Sequence, residues 1–347
     1  MLFNHFSSYP TFQVFLGFIV AAALTMVIMP AWIKLLKRTH VGQQVRADGP
    51  ESHLVKQGTP TMGGVIMLVA VIITTLLVAT PSLELASALV ATILIGALGL
   101  FDDASKVVHE RSLGLTPKGK LIGQFTVSIL FTLVVVNVCH VAPTVQIPFL
   151  PVIDLGVLTT TLPIAGGIDI PWLYAVFCAI LLAGMSNAVN LTDGLDGLAA
   201  GTVMVSMLVM GAIAYASDIL PLAVFGATIA GACVGFLWFN AYPADIFMGD
   251  TGSLALGMAL GCIAMITKTE IVSLIIGGLF VAEALSVVIQ VLHYRRTHTR
   301  IFLMAPLHHH FEKKGWSEVK VVIRFWIISA VLAGIGFSIF FIQPFVS

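Results

Sequence analysis

Four short polar stretches hold most of the side chains able to do chemistry in this chain. They read FDDASK (Phe101–Lys106), NAVNLTDGLDG (Asn187–Gly197), FMGDTGS (Phe247–Ser253) and APLHHHF (Ala305–Phe311). Asp102 and Asp103 are adjacent carboxylates, which repel unless a cation sits between them. Lys106 follows at helical spacing and can supply that cation. Such a pair can act as general base or nucleophile beside a phosphate; its bland counterpart is a helix end with solvated acids. Asn187, Asn190, Asp193 and Asp196 recur every three residues, which on a helix keeps them near one face. Two amides and two carboxylates form a hard, oxygen-rich surface, suited to Mg²⁺ or to hydrogen bonds with a sugar or base. Gly194 and Gly197 let backbone come close to a ligand, although Asn and Asp also serve plain turns.

Asp250 stands between Gly249 and Gly252, with Thr251 or Ser253 expected to cap the next helix. The start of that helix would favour an anion such as phosphate. Phe247 can stack on a planar ring or anchor at a membrane interface. His308, His309 and His310 follow Pro306 directly. Zinc ligands are normally spaced, so these histidines are read as hydrogen-bonding and acid/base groups near phosphate. The segment Arg46–Gly64 carries Arg46, His53 and Lys56 as anion-binding candidates but lacks the phosphate-loop spacing.

The elements that must position these groups follow from composition. Of 347 residues, 58% are apolar and 10% charged, where soluble domains are about a quarter charged. The bilayer is therefore the solvent, and the fold class is an all-α integral membrane protein, one polytopic domain over residues 1–347. A formal net charge of zero gives no sign of a nucleic-acid partner. Cys139, Cys178, Cys233 and Cys262 have neither metal nor redox spacing and read as small apolar residues. No basic region precedes the first apolar stretch, so no cleaved signal peptide is expected.

Apolar runs lie at about 12–36, 63–80, 85–101, 119–138, 171–189, 198–216, 219–240, 252–267, 271–294 and 321–343. Ten spans put both termini on one side. Sixteen of the seventeen Lys and Arg fall in 34–62, 102–120 and 295–324, and only Lys268 lies opposite. The positive-inside rule makes those three loops cytoplasmic and both termini external. The stretch 139–170 has four prolines and two β-prone runs, Val145–Phe149 and Val157–Leu162, and suggests a small extracytoplasmic hairpin. Glu283 lies in the ninth run, where a carboxylate costs on the order of 3 kcal/mol and should face protein or a wet groove.

Longer stretches carry a resemblance. GTPTMGG (Gly58–Gly64), FDDASK, GLTPKGK (Gly114–Lys120), NAVNLTDGLDGLA, FNAYPADIFMGDTGSL and RIFLMAPLHHHFEKKGW together make the chain resemble the polyprenyl-phosphate N-acetylhexosamine-1-phosphate transferase superfamily. GTPTMGG and PLHHHF point to its phospho-N-acetylmuramoyl-pentapeptide transferase branch. The likeness covers nearly the whole chain and is weakest over 139–170. It implies a ten-helix bundle with a cytoplasmic active-site cleft, in a homodimer in the bacterial inner membrane. It implies a Mg²⁺-dependent transfer of phospho-MurNAc-pentapeptide from UDP-MurNAc-pentapeptide to undecaprenyl phosphate, giving lipid I and UMP. By position it implies Asp250 as Mg²⁺ ligand and Asp102 and Asp103 as catalytic acids. Asn187, Asn190, Asp193, Asp196 and Phe247 would surround the nucleotide, with Lys56 and Thr61 near that pocket. Lys106, Lys120 and His308–His310 would meet phosphates or sugar, His308 taking part in catalysis. The alternatives are a GlcNAc-1-phosphate transferase of the same superfamily and a secondary transporter, whose marks would be midplane acids or interrupted helices.

Overall fold

The computed structural model describes residues 9–39, 58–108, 114–163 and 167–343. Arg46, His53, Lys56 and Arg111 lie outside them. Among the described residues, nine helices are long and apolar enough to cross a membrane. They are α1 (Pro10–Arg38), α3 (Leu83–Val108), α4 (Pro117–Asn137), α5 (Trp172–Thr192), α6 (Leu198–Ala216), α7 (Leu220–Asn240), α8 (Gly249–Ile266), α10 (Gly278–Thr297) and α12 (Glu318–Ile342). The tenth apolar run, α2 (Gly64–Val78), has 15 residues, about 22 Å at 1.5 Å per residue, and is shorter than expected. The run expected at 271–294 is two helices, α9 (Glu270–Ile276) and α10, parted at Gly277. Two successive glycines, poor helix formers, explain the break.

Helix α8 is the buried axis of the bundle, packed against α3 and α5. Its residues Thr251–Ile266 are all buried. Such all-round burial needs small side chains, and GDTGSLALGMALGCIAMI supplies them. Outward faces of α1, α4, α10 and α12 stay apolar and exposed, as lipid-facing helices do. Local signals place the starts well. Thr116 accepts the Gly119 N–H at 3.2 Å and Pro117 opens α4, a regular N-cap followed by proline.

The stretch after α4 forms two small antiparallel ladders rather than one hairpin. β1 (Thr144–Val145) pairs with β2 (Ile153–Asp154), and β3 (Thr159–Leu162) pairs with β4 (Ile168–Pro171). The two β-prone runs thus find separate partners. Asn137 pins this cap to α4, donating to Asp169 O at 2.9 Å and accepting its N–H at 2.7 Å. Lys268, in the turn after α8, donates to Ala142 O, Thr144 O and Tyr174 and pairs with Glu270 at 3.0 Å. Asp250 and Lys268 therefore mark opposite ends of α8, about 27 Å apart along its axis.

Candidate active site

The DDxxK spacing is helical as read, because α3 continues to Val108. Lys106 Nζ reaches Asp102 at 2.6 Å, Asp103 at 3.6 Å and, across to α8, Asp250 at 3.0 Å. Lys120, from the first turns of α4, pairs with Asp250 at 2.5 Å and approaches Asp102 at 3.7 Å. Asn190 from α5 donates to the other Asp250 oxygen and to Ser253, both at 2.8 Å. Two adjacent acids of α3 and a third, 147 positions on in α8, thus share one point. Oxygens of Asp102, Asp103 and Asp250 lie within 4.8 Å of one another. Three carboxylates against two ammonium groups leave one negative charge in excess. That hard, anionic oxygen set fits a divalent cation such as Mg²⁺.

The two adjacent aspartates differ in what holds them. Asp103, buried, accepts the N–H of Asp250 at 3.1 Å, the N–H of Thr251 at 2.9 Å and the Thr251 hydroxyl at 2.7 Å. It caps α8 from another helix. Neither Thr251 nor Ser253 does so, and the anion at this helix start is the protein's own carboxylate. Gly249 makes the approach feasible. Its φ is +78°, and a Cβ there would meet Asp103 Oδ2 at 2.6 Å. Asp102 is bound more lightly. Its Oδ1 accepts the Leu115 N–H at 2.8 Å, while Oδ2, apart from the lysine ion pairs, has no hydrogen-bond partner among the described residues.

The remaining site residues fall into groups. The segment before α2 pairs with the FMGD loop: Phe247 N donates to Pro60 O at 2.8 Å and Gly63 N to Phe247 O at 2.9 Å. This sets Thr61 beside Gly249 and leaves Phe247 half-buried. Asn187 points into an interhelical network, donating to Gln124 at 2.8 Å. Gln124, a polar residue on an apolar helix, was not singled out by sequence; its place in α4 was the available signal. The every-third pattern does not stay on a helix, since α5 ends at Thr192 and Asp193 and Asp196 occupy the following turn. Asp196 is buried and accepts the Ala244 N–H at 3.0 Å. Asp193 is half-buried; burial first, then the charges of Asp250, Asp103 and Asp196, push its carboxyl up to about 8.

The three histidines point three ways from the short helix α11 (Leu307–Lys313). His309 Nδ1 meets Glu312 at 2.7 Å. His310 Nδ1 accepts the Leu303 N–H at 3.1 Å, and burial followed by Lys314 lowers its pKa. His308 is fully buried beside Glu283 of α10, Nδ1 to Oε2 3.2 Å. Glu283 therefore faces protein.

Fold and site define a polytopic membrane enzyme with acids and lysines gathered at one bundle end, the equipment for handling phosphates. Residues 85–268 match glycosyl transferase family 4, and residues 56–68 match the phospho-N-acetylmuramoyl-pentapeptide-transferase signature 1. The chain is 44% identical over 324 residues to the phospho-N-acetylmuramoyl-pentapeptide-transferase of Halalkalibacterium halodurans, covering 92% of this chain and 94% of that one. For the Desulfotalea psychrophila enzyme of that name the identity is 45% over 333 residues, covering 90% and 89%. For that of Bacillus subtilis it is 42% over 332 residues, covering 94% and 97%. The chain belongs to the phospho-N-acetylmuramoyl-pentapeptide-transferase family.

Proposed function

We propose that this enzyme transfers phospho-MurNAc-pentapeptide from UDP-MurNAc-pentapeptide to undecaprenyl phosphate, releasing UMP and leaving lipid I. The observation that carries the reading is the meeting of Asp102, Asp103, Asp250, Lys106 and Lys120 at one end of α8, in a chain of this family. Phosphoryl transfer depends chiefly on positioning and charge neutralisation, and this cluster offers both. Asp250 and Asp103 would hold Mg²⁺, which when bound would supply positive charge to the donor's diphosphate. Asp103 Oδ1 accepts a single hydrogen bond and keeps a lone pair for that purpose. Asp102 is the base, because its Oδ2 is engaged only by the lysine ion pairs, which open as those ammonium groups turn to the phosphates.

In the step itself, Asp102 takes the proton of the lipid phosphate, and that oxygen attacks the β-phosphorus of the donor in line. The new P–O bond forms as the bond from the β-phosphorus to the bridging oxygen breaks, and the electron pair leaves with UMP. Lys106 and Lys120 turn to the phosphates. Asn190, Asp193, Asp196 and Phe247, with Thr61, surround the nucleotide. The cluster faces the cytoplasm, since sixteen of seventeen basic residues belong to the loops on that side, and both termini face outward. The enzyme sits in the inner membrane, and the family likeness is the ground for assigning a homodimer. A transporter is disfavoured: the two buried acids flanking the break at Gly277 are both occupied, Glu270 by Lys268 and Glu283 by His308.

The test supplies UDP-MurNAc-pentapeptide, undecaprenyl phosphate and Mg²⁺ and measures UMP. Release is expected only when donor and lipid are both present. Turnover with UDP-GlcNAc instead would move the assignment to the sister activity. A stoichiometric UMP burst without lipid would make an aspartate the phosphoryl carrier.

A further inference from the structure

Glu283 takes no part in the acid cluster, yet it is fully buried, and so is its partner His308. Both carboxylate oxygens bear on the one residue. The His308 backbone N–H lies 3.2 Å from Oε1 and 3.4 Å from Oε2, and the imidazole Nδ1 lies 3.2 Å from Oε2. The Nδ1 contact is close but off the line of a good hydrogen bond. The other ring nitrogen, Nε2, is buried and has no hydrogen-bond partner among the described residues. It lies over Gly194, where any Cβ would collide with it. Gly194 joins Asp193 to the turn that ends at Asp196. So the carboxylate holds one edge of the ring, and the opposite edge looks into the Asn/Asp loop.

We propose that Glu283 is a positioning residue for His308: it fixes the imidazole through the backbone N–H and Nδ1 so that Nε2 presents a lone pair at the loop where the donor nucleotide binds. A neutral imidazole carries its proton on one nitrogen, and a neighbouring carboxylate selects the nitrogen beside it. A carboxylate beside one ring nitrogen fixes both tautomer and ring direction. The role in turnover rests on the transferase reading above; the ring geometry does not. Glu283 thereby earns its place on an apolar helix, where an unpartnered acid would cost several kcal/mol.

The test has two arms. In the first, ¹⁵N-histidine-labelled enzyme in bilayers is observed by NMR without substrate, and the His308 signal is assigned by its loss in His308→Asn. A protonated Nδ1 and an unprotonated Nε2 are expected in the wild type. The reverse tautomer overturns the proposal, and this arm needs neither turnover nor a Glu283 variant. In the second, Glu283→Gln, His308→Asn and the double variant are compared for UMP release. Glu283→Gln should lower kcat about 10-fold to 100-fold and change donor KM less than about twofold. In the His308→Asn background the same change should have little further effect, since the two act as one unit. Full additivity overturns the proposal. Absence of UMP release from the wild type would fail the transferase reading instead, leaving the first arm to judge the dyad.

Discussion

Asp103 and Asp102 are neighbours with the same side chain, and truncating each to alanine should separate structural from chemical work. Asp103→Ala removes three hydrogen bonds from a buried carboxylate: two backbone N–H groups at the start of α8 and the Thr251 hydroxyl. Hydrogen bonds to charged groups are worth about 1.5–3 kcal/mol each, and an N-cap about 1. Since α8 is the core helix, little water can replace them, and the loss should be about 3–5 kcal/mol. Asp102→Ala removes the hydrogen bond from the Leu115 N–H and the ion pair with Lys106 at 2.6 Å, but Lys106 is partly exposed and keeps Asp250 at 3.0 Å. Its cost should be about 1–2 kcal/mol. Both variants should lose transfer. Unfolding of the purified proteins in one detergent, by denaturant and by heat, measures the difference. Equal losses for the two variants, or an unchanged Asp103→Ala, would refute the capping argument and with it the assignment of Asp102 as the freer base.

Three further outcomes are expected. Asp250→Asn should keep the fold but cut transfer by about 10²-fold to 10³-fold and weaken Mn²⁺ binding followed by electron paramagnetic resonance; tight Mn²⁺ binding would remove Asp250 as a ligand. Asp193, with its carboxyl at about 8, lies above the unfolded value of 3.8, so its stabilising share is full below pH 3.8, falls as pH rises and is gone above 8. The stability of metal-free wild type relative to Asp193→Asn should therefore fall between pH 5 and 8; parallel profiles would contradict the raised value. A cysteine at position 46, in a chain with Cys139 replaced, should resist labelling from outside intact cells, and labelling there would reverse the topology.

Composition and local spacing made the class of fold and most spans legible, and they singled out the acids Asp102, Asp103 and Asp250 that the fold gathers. Bilayer-length apolar runs can be satisfied only as helices, and basic residues collect on one side for electrostatic reasons that need no tertiary contact. The Asp102, Asp103, Lys106 grouping was legible for the same reason: it lies within one helix, and helical spacing is local. Everything that depended on a second element was decided by packing. The spacing of Asn187 to Asp196 looked helical, but α5 stops at Thr192, where the chain must turn toward α6. Thr251 and Ser253 were reasonable caps for α8, yet Asp103 is the cap, because burying α8 against α3 brings a carboxylate to its first N–H groups. The partner of Glu283 was invisible, being 25 residues away on α11, a short helix that returns its chain to α10. Asp250 was marked as a metal ligand only through the resemblance, and three acids separated by up to 148 positions acquire their mutual distances only when the bundle closes.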